Sequence, residues 1–266
     1  MRKKLPIIGI IIGLIMIGAY PAYDLYHSYK NKQVVEQLAD TTAELDSSDK
    51  AEYLEQAKAF NDVLAGKKPR VTPVWPYEDQ LNIEHHDTVF SELIIPKIAI
   101  DMPVYHGTSE AVLSAGAGHL ERSSLPVGGK STHCILTAHS GMQGMRAFDD
   151  LRTLVPGDVF AVRTLNKLYA YKVYASETVL PEEVDKLKIQ ENKDLCTLIT
   201  CTPYGVNTHR LLVHGERCPV PDDFLDQKPS LKDIVTNRRY APFIIAACIV
   251  LLLVIAKIIM VEKRIL

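Results

Sequence analysis

Apolar residues are massed at the two ends of the chain and alternate with polar ones in short stretches between. From Leu5 to about Tyr20 no charge interrupts the run, and Arg2, Lys3 and Lys4 precede it. A signal peptide and an uncleaved anchor share that pattern. The stretch Gly18-Ala19-Tyr20-Pro21-Ala22-Tyr23 offers no clean small-x-small cleavage site, which favours the anchor. At the other end Pro242 to Ala256 is apolar throughout, and Ile258 to Val261 extend it beyond Lys257. Together these make about 20 residues, enough to cross a hydrocarbon core about 30 Å thick with Lys257 snorkelling. Basic residues at Arg2–Lys4 and at Lys263-Arg264 place both ends in the cytoplasm, although Arg238 and Arg239 oppose that bias. Two spans with both ends inside put the intervening segment outside.

The interior reads first as helix and then as strands. Residues from about Ser28 to Ala65 carry helical periodicity. Val34, Val35 and Leu38 suggest one piece; Tyr53, Leu54, Ala57, Phe60 and Leu64 form a stripe on a second, with Asp49 and Glu52 as a capping box and Gly66 as a stop. Pro69, Pro73 and Pro76 then break the helix around Trp75 and Tyr77, an aromatic pair expected to dock into a groove. Strands follow at Ser91–Ile95, Ile98–Tyr105, Cys134–Ala138, Val159–Thr164, Lys167–Val179, Leu195–Thr200 and Arg210–His214, the fourth and fifth joined as a hairpin at Leu165-Asn166. Many short strands with little helix between them predict a mainly β protein built on a closed or nearly closed barrel. Pro219 to Asn237 is a largely polar linker. The expected boundaries are 1–24 for the anchor or signal, 25–68 for the helical lead-in and 69–85 for the proline-rich loop. They continue with 86–218 for the barrel, 219–239 for the linker, 240–261 for the second span and 262–266 for a cytoplasmic tail.

A net charge of −2 gives no electrostatic case for nucleic acid. Five cysteines do not make a disulfide framework: Cys248 lies in the membrane run, and Cys196 and Cys201, an odd number apart, point to opposite faces of one strand. An unpaired thiol in an exported segment needs a reason.

The chemistry gathers at strand ends. The β-rich run Leu195 to Thr200 delivers Cys201 just before Pro203, and the turn residues Pro203, Gly205 and Asn207 lead to a strand that opens with Arg210. If the two strands form a hairpin, Cys201 and Arg210 leave the sheet at one end. His139 follows an apolar strand and precedes Ser140-Gly141. Thiol, imidazole and guanidinium are the parts of acyl transfer by a cysteine: nucleophile, proton donor and oxyanion stabiliser. His133, His209 and His214 are competing imidazoles, and Cys134 and Cys196 competing thiols that sit among aliphatics as small core residues. A zinc site from His139, Cys201 and His209 lacks closely spaced ligand pairs, and Ser140 lacks a nucleophile elbow. No phosphate-binding glycine loop occurs, so no cofactor is expected.

These residues resemble a known family. Thr197-Leu198-Ile199-Thr200-Cys201 is similar to the TLxTC signature of sortases, Arg210 lies at the spacing of that family's arginine, and Leu136-Thr137-Ala138-His139-Ser140-Gly141 resembles its histidine motif. The resemblance covers roughly Glu92 to Arg217 and implies an eight-stranded β-barrel and a thioester formed with an LPxTG-like sorting signal. Two hydrophobic ends and a helical lead-in resemble class C, the pilus-assembly sortases, in which a lid carries an Asp-Pro-aromatic motif. Trp75-Pro76-Tyr77 matches that motif with Trp75 in place of the aspartate, leaving Glu78 and Asp79 as carboxylates for any lid contact to Arg210. The resemblance implies pilin or surface-protein substrates, with a pilin lysine or a peptidoglycan precursor as acceptor. It also implies a place in the cell membrane of a Gram-positive bacterium. A membrane-tethered β-domain that binds without catalysis is the alternative of another class; in it Cys201 is structural.

Overall fold

A computed structural model of the chain describes residues 5–83, 89–141, 147–230 and 241–262. Two compact units are distinguished, one of Ser28–Met142 with Arg146–Pro229 and one that includes both chain ends.

In the larger unit the eight strands close into a barrel in the order β1-β2-β3-β4-β7-β8-β6-β5. They are β1 (Val89–Ile95), β2 (Ile100–His106), β3 (Ala117–His119), β4 (Thr132–Thr137), β5 (Val159–Thr164), β6 (Lys167–Val179), β7 (Asp194–Thr202) and β8 (His209–Arg217). Every strand expected from alternation is present, and β5 and β6 have the expected bounds. Leu165 and Asn166 both take positive φ, the mirror-image turn whose twist suits a two-residue hairpin. The three-residue β3 is too short for an alternation to register. Two of the pairings are parallel, β2 with β3 and β4 with β7, and the second joins segments about 60 residues apart in sequence.

Helix α1 runs unbroken over Leu5–Glu44 and α2 over Ser47–Leu64. The expected boundary between anchor and lead-in at residue 24 therefore falls inside one helix. The start of α2 also differs from expectation. Asp46, not Asp49, is its N-cap, and its carboxylate accepts from the backbone N–H of Ser48 and Asp49. The face α2 buries is set by polar groups as much as by the apolar stripe: Ala57 and Ala59 allow close approach, while Asn61 mimics a strand edge. Its Nδ2 donates to the Leu125 carbonyl at 3.1 Å and its Oδ1 accepts from the Leu125 N–H at 2.7 Å.

β1 is buried along its whole length because its outer side is covered. In the polar segment after β8, Phe224 is buried against Ile94, Ala161 and Ala170. Lys228 reaches Glu92 at 2.5 Å and Asp101 at 3.2 Å, and Arg163 flanks Glu92 at 3.2 Å. Residues 231–239 of the expected linker, among them the opposing Arg238 and Arg239, and the basic flanks Arg2–Lys4 and Lys263-Arg264 lie outside the described residues.

The smaller unit contains α4 (Ala241–Glu262). Among the described residues no helix is long and apolar enough to cross a membrane. Side chains at 5–11 of α1 and 255–262 of α4, on which the two expected spans depend, lie outside them.

Candidate active site

The site is assembled by pairing register. β7 and β8 are antiparallel with Cys201 and Arg210 as direct Cα partners. β4 and β7 are parallel with Thr137 opposite Ile199, so both chains leave the sheet at the same edge. Two residues further along each strand lie His139 and Cys201. Backbone stitching extends the alignment past the end of β4. The Ala138 N–H donates to the Ile199 carbonyl at 3.2 Å, the Thr200 hydroxyl donates to the Ala138 carbonyl at 2.8 Å, and the Ser140 hydroxyl donates to the Cys201 carbonyl at 2.6 Å. His139 is held from the other side by the Phe148 N–H, which donates to its carbonyl at 2.9 Å. Gly141 takes φ +82, a conformation other residues adopt only with strain, and its N–H donates to Asp149 Oδ1 at 2.8 Å.

Cys201, His139 and Arg210 line one open cavity of about 460 Å³. Its remaining wall is mostly aliphatic: Ile135, Val179, Ile199 and Leu212 on the strands, and Leu180 and Leu187 from the connection between β6 and β7. Cys201 is partly exposed, whereas Cys134 and Cys196 are buried; they are Cα partners on β4 and β7, facing away from the cavity. Burial pushes the Cys196 thiol above its ordinary range, which leaves it a poor nucleophile. Arg210 Nη1 donates to the carbonyls of Asn207 and His209 at 3.1 and 3.0 Å, which leaves the rest of the guanidinium fork for a substrate oxygen. His139 Nε2 lies 3.3 Å from Glu110 Oε1, near enough for an ion pair but without hydrogen-bond geometry. Glu110 opens the short helix α3 (Glu110–Ala115), a contact the sequence did not suggest because no helix was read there.

The competing imidazoles are placed elsewhere. His209 contacts Thr208, and His133 and His214 are buried in hydrogen bonds to Thr197. Among the described residues no three His, Cys, Asp or Glu side chains come together in a way that would hold a metal ion.

Trp75, Pro76 and Tyr77 are not among the residues lining the cavity. Trp75 meets Tyr53 of α2 edge-on at 5.5 Å, and its backbone N–H donates to Gln56 Oε1 at 3.0 Å. Tyr77 packs against Phe60, His106 and His119; its hydroxyl lies 2.9 Å from His119 Nδ1 and accepts from the Gly107 N–H at 3.0 Å. Burial raises its hydroxyl pKa well above the ordinary value. Gly107 precedes Thr108, a cavity-lining residue, so Tyr77 braces the wall from behind. Among the described residues no carboxylate pairs with Arg210, so the expected contact from Glu78 or Asp79 is not made. The aromatic and polar partners on α2, β2 and β3 account for where this segment docks.

A sortase domain model matches residues 93–218. The crystal structure of sortase C1 from Streptococcus agalactiae is 42% identical, covering 71% of this chain and 100% of that one with a TM-score of 0.66. The chain belongs to the sortase family. It is a cysteine transpeptidase with the family's barrel. The sortase C of Clostridium perfringens, solved with its C-terminal cell wall sorting motif, is 39% identical over 71% of this chain and 99% of that one, with a TM-score of 0.62. Sortase A of Streptococcus agalactiae is 24% identical over 219 residues, 81% of this chain and 83% of the relative. The solved neighbours thus include several C-type sortases and a sortase A, while the curated relatives include sortases A and D.

Proposed function

We propose that this sortase cleaves an LPxTG-like sorting signal through a Cys201 thioester and joins pilin subunits by lysine isopeptide bonds. The Cys201 thiolate attacks the carbonyl between Thr and Gly of the signal. Protonated His139 supplies the proton that the departing amine takes up, and the Arg210 guanidinium faces the oxyanion as it forms. A lysine amine of the next subunit then attacks the thioester, the tetrahedral intermediate collapses, and the thiol is restored with an isopeptide bond formed.

The observation that carries this reading is the convergence of Cys201, Arg210 and His139 on one cavity whose other walls are mostly aliphatic. Such a groove suits the leucine and proline of the signal, because burying them there removes apolar surface from water. The C-type neighbours support lysine as the acceptor. The rival acceptor is the amine of a peptidoglycan precursor, favoured by the likeness to sortase A. We further propose that the apolar runs at both ends hold the enzyme in the membrane of a Gram-positive cell with the barrel outside.

The test mixes the detergent-solubilised full chain with an LPxTG-type peptide and examines Cys201 by mass spectrometry. The expected result is an adduct of the N-terminal fragment that disappears in Cys201→Ala. A second incubation offers a lysine-bearing pilin domain and a precursor amine in competition. Transfer mainly to the precursor would replace polymerisation by wall anchoring, and the absence of any adduct on wild-type Cys201 would overturn the donor assignment. Membrane fractionation with protease added from outside tests the topology; a barrel protected in intact cells would reverse it.

A further inference from the structure

The face that carries Cys201 does not end with the aliphatic floor. Stepping back two residues along β4, β7 and β8 from Ile135, Ile199 and Leu212 reaches His133, Thr197 and His214, all buried. These three are joined in series and tied at both ends to β6 and the connection that follows it. His133 Nδ1 donates to the Lys188 carbonyl at 3.0 Å. His133 Nε2 lies 2.7 Å from the Thr197 hydroxyl, which lies 2.9 Å from His214 Nδ1. His214 Nε2 lies 3.1 Å from Glu177 Oε1. The segment between Glu177 and Lys188 is the one whose Val179, Leu180, Pro181, Glu183 and Leu187 line the cavity.

Counting hydrogens decides what this chain of contacts needs. Both ends, a peptide carbonyl and a carboxylate, only accept. Each neutral imidazole brings one N–H and the threonine brings one O–H, so the interior holds three hydrogens for four contacts. The fourth contact is a hydrogen bond only when one further proton is bound. The count is the same whether that proton sits on His133, on His214 or on Glu177. Without it, one contact sets lone pair against lone pair.

We propose that His133, Thr197, His214 and Glu177 form a one-proton latch whose closure positions the β6–β7 connection as a wall of the donor-peptide groove. These are positioning residues, and their role as such rests on the cavity receiving the sorting signal.

The surroundings set the direction. Burial lowers the pKa of both His133 and His214, against the hydrogen bonds that favour their charged forms. Glu177 is lowered despite partial desolvation, by Lys186 and by His214. Lys186 lies 3.2 Å from Glu177, Tyr174 stacks on His214 with centroids 5.8 Å apart, and Lys193 sits over Tyr174. The Lys188 ammonium pairs with Asp185. Acidification below the ordinary imidazole range completes the latch, and rising pH opens one link.

Glu177→Gln separates this latch from ordinary packing. Its side-chain amide donates to His214 Nε2 and supplies the fourth hydrogen with every group neutral, so the latch closes without a proton. In the wild-type full chain, KM for an LPxTG-type peptide is expected to rise about five-fold between pH 5.5 and 8, the worth of one net hydrogen bond. In Glu177→Gln it is expected to stay low across that range, and in Glu177→Ala and Thr197→Val to be high throughout. A pH dependence of KM that survives in Glu177→Gln would overturn the latch. Hydrogen exchange of residues 180–190 in the substrate-free chain, corrected for intrinsic rates, gives a readout independent of the donor assignment. Protection is expected to fall with pH in wild type and not in Glu177→Gln. Equal wild-type protection at both pH values would remove the latch, even if the Cys201 adduct forms normally.

Discussion

Arg210 meets Cys201 as a direct cross-strand partner, so its fork is held by the sheet rather than by a flexible loop. A preorganised donor at a developing oxyanion contributes about 10²- to 10³-fold to rate. Arg210→Lys keeps the charge but loses the fork, and its acylation rate is expected to fall about 100-fold in a single-turnover assay of Cys201 adduct formation. Glu110 is a different case. It lies 3.3 Å from His139 Nε2, but its side chain is 79% exposed, so water screens the pair. Glu110→Gln is expected to change the same rate by less than about five-fold. A larger loss would mean that Glu110 orients the imidazole during turnover.

At the scale of elements, α2 is packed onto the barrel through buried polar contacts. Both amide groups of Asn61 are spent on the backbone of Leu125, in a buried position. Asn61→Ala leaves the buried Leu125 N–H without a partner and its carbonyl with only the Val127 N–H, and is expected to lower unfolding free energy by about 1–3 kcal/mol in urea titrations. Tyr77 plays a similar part between α2 and the β2–β3 region. Tyr77→Phe retains the aromatic packing but strips a partner from the Gly107 N–H and from His119. Its expected cost is about 1–2 kcal/mol, with the Cys201 adduct still formed. A Tyr77→Phe variant that instead accelerated adduct formation with unchanged stability would mean that this segment acts as an inhibitory lid.

Across the whole barrel, the outer face of β1 is closed by the returning segment through a buried charge cluster. Burial and the neighbouring Glu92 push Asp101 up to about 7, against the pull of Lys228. A proton on Asp101 relieves its repulsion from Glu92. An acid whose folded pKa lies above its unfolded value contributes stability while protonated in the fold, and that contribution is lost as pH rises. The barrel is therefore expected to lose stability between about pH 4 and pH 7, and Asp101→Asn to flatten that slope. Thermal melts across pH give the check; an unchanged slope in Asp101→Asn would assign it to other groups.

Much of this was legible one strand at a time. Alternation located seven of the eight strands, and the residues at their ends singled out Cys201, His139 and Arg210, because local sequence dictates where a strand stops and which face a side chain takes. The same two-residue period was present at His133, Thr197 and His214, but read alone those positions were only competing imidazoles and a motif threonine. The polar docking groups Gln56 and Asn61, the buried Phe224 and the seat of Tyr77 were hidden for a related reason: their partners are far away in sequence. The parallel pairing of β4 with β7 is the decisive case. It matches residues about 60 positions apart in one register, and no local signal encodes that register, since it is chosen by which faces can be buried together. The sequence by itself determined which chemical groups stand at strand ends. Only the tertiary structure decided that His139 arrives beside Cys201 and that a buried imidazole chain ties down the wall of the same groove, because closing the barrel sets distant strands side by side.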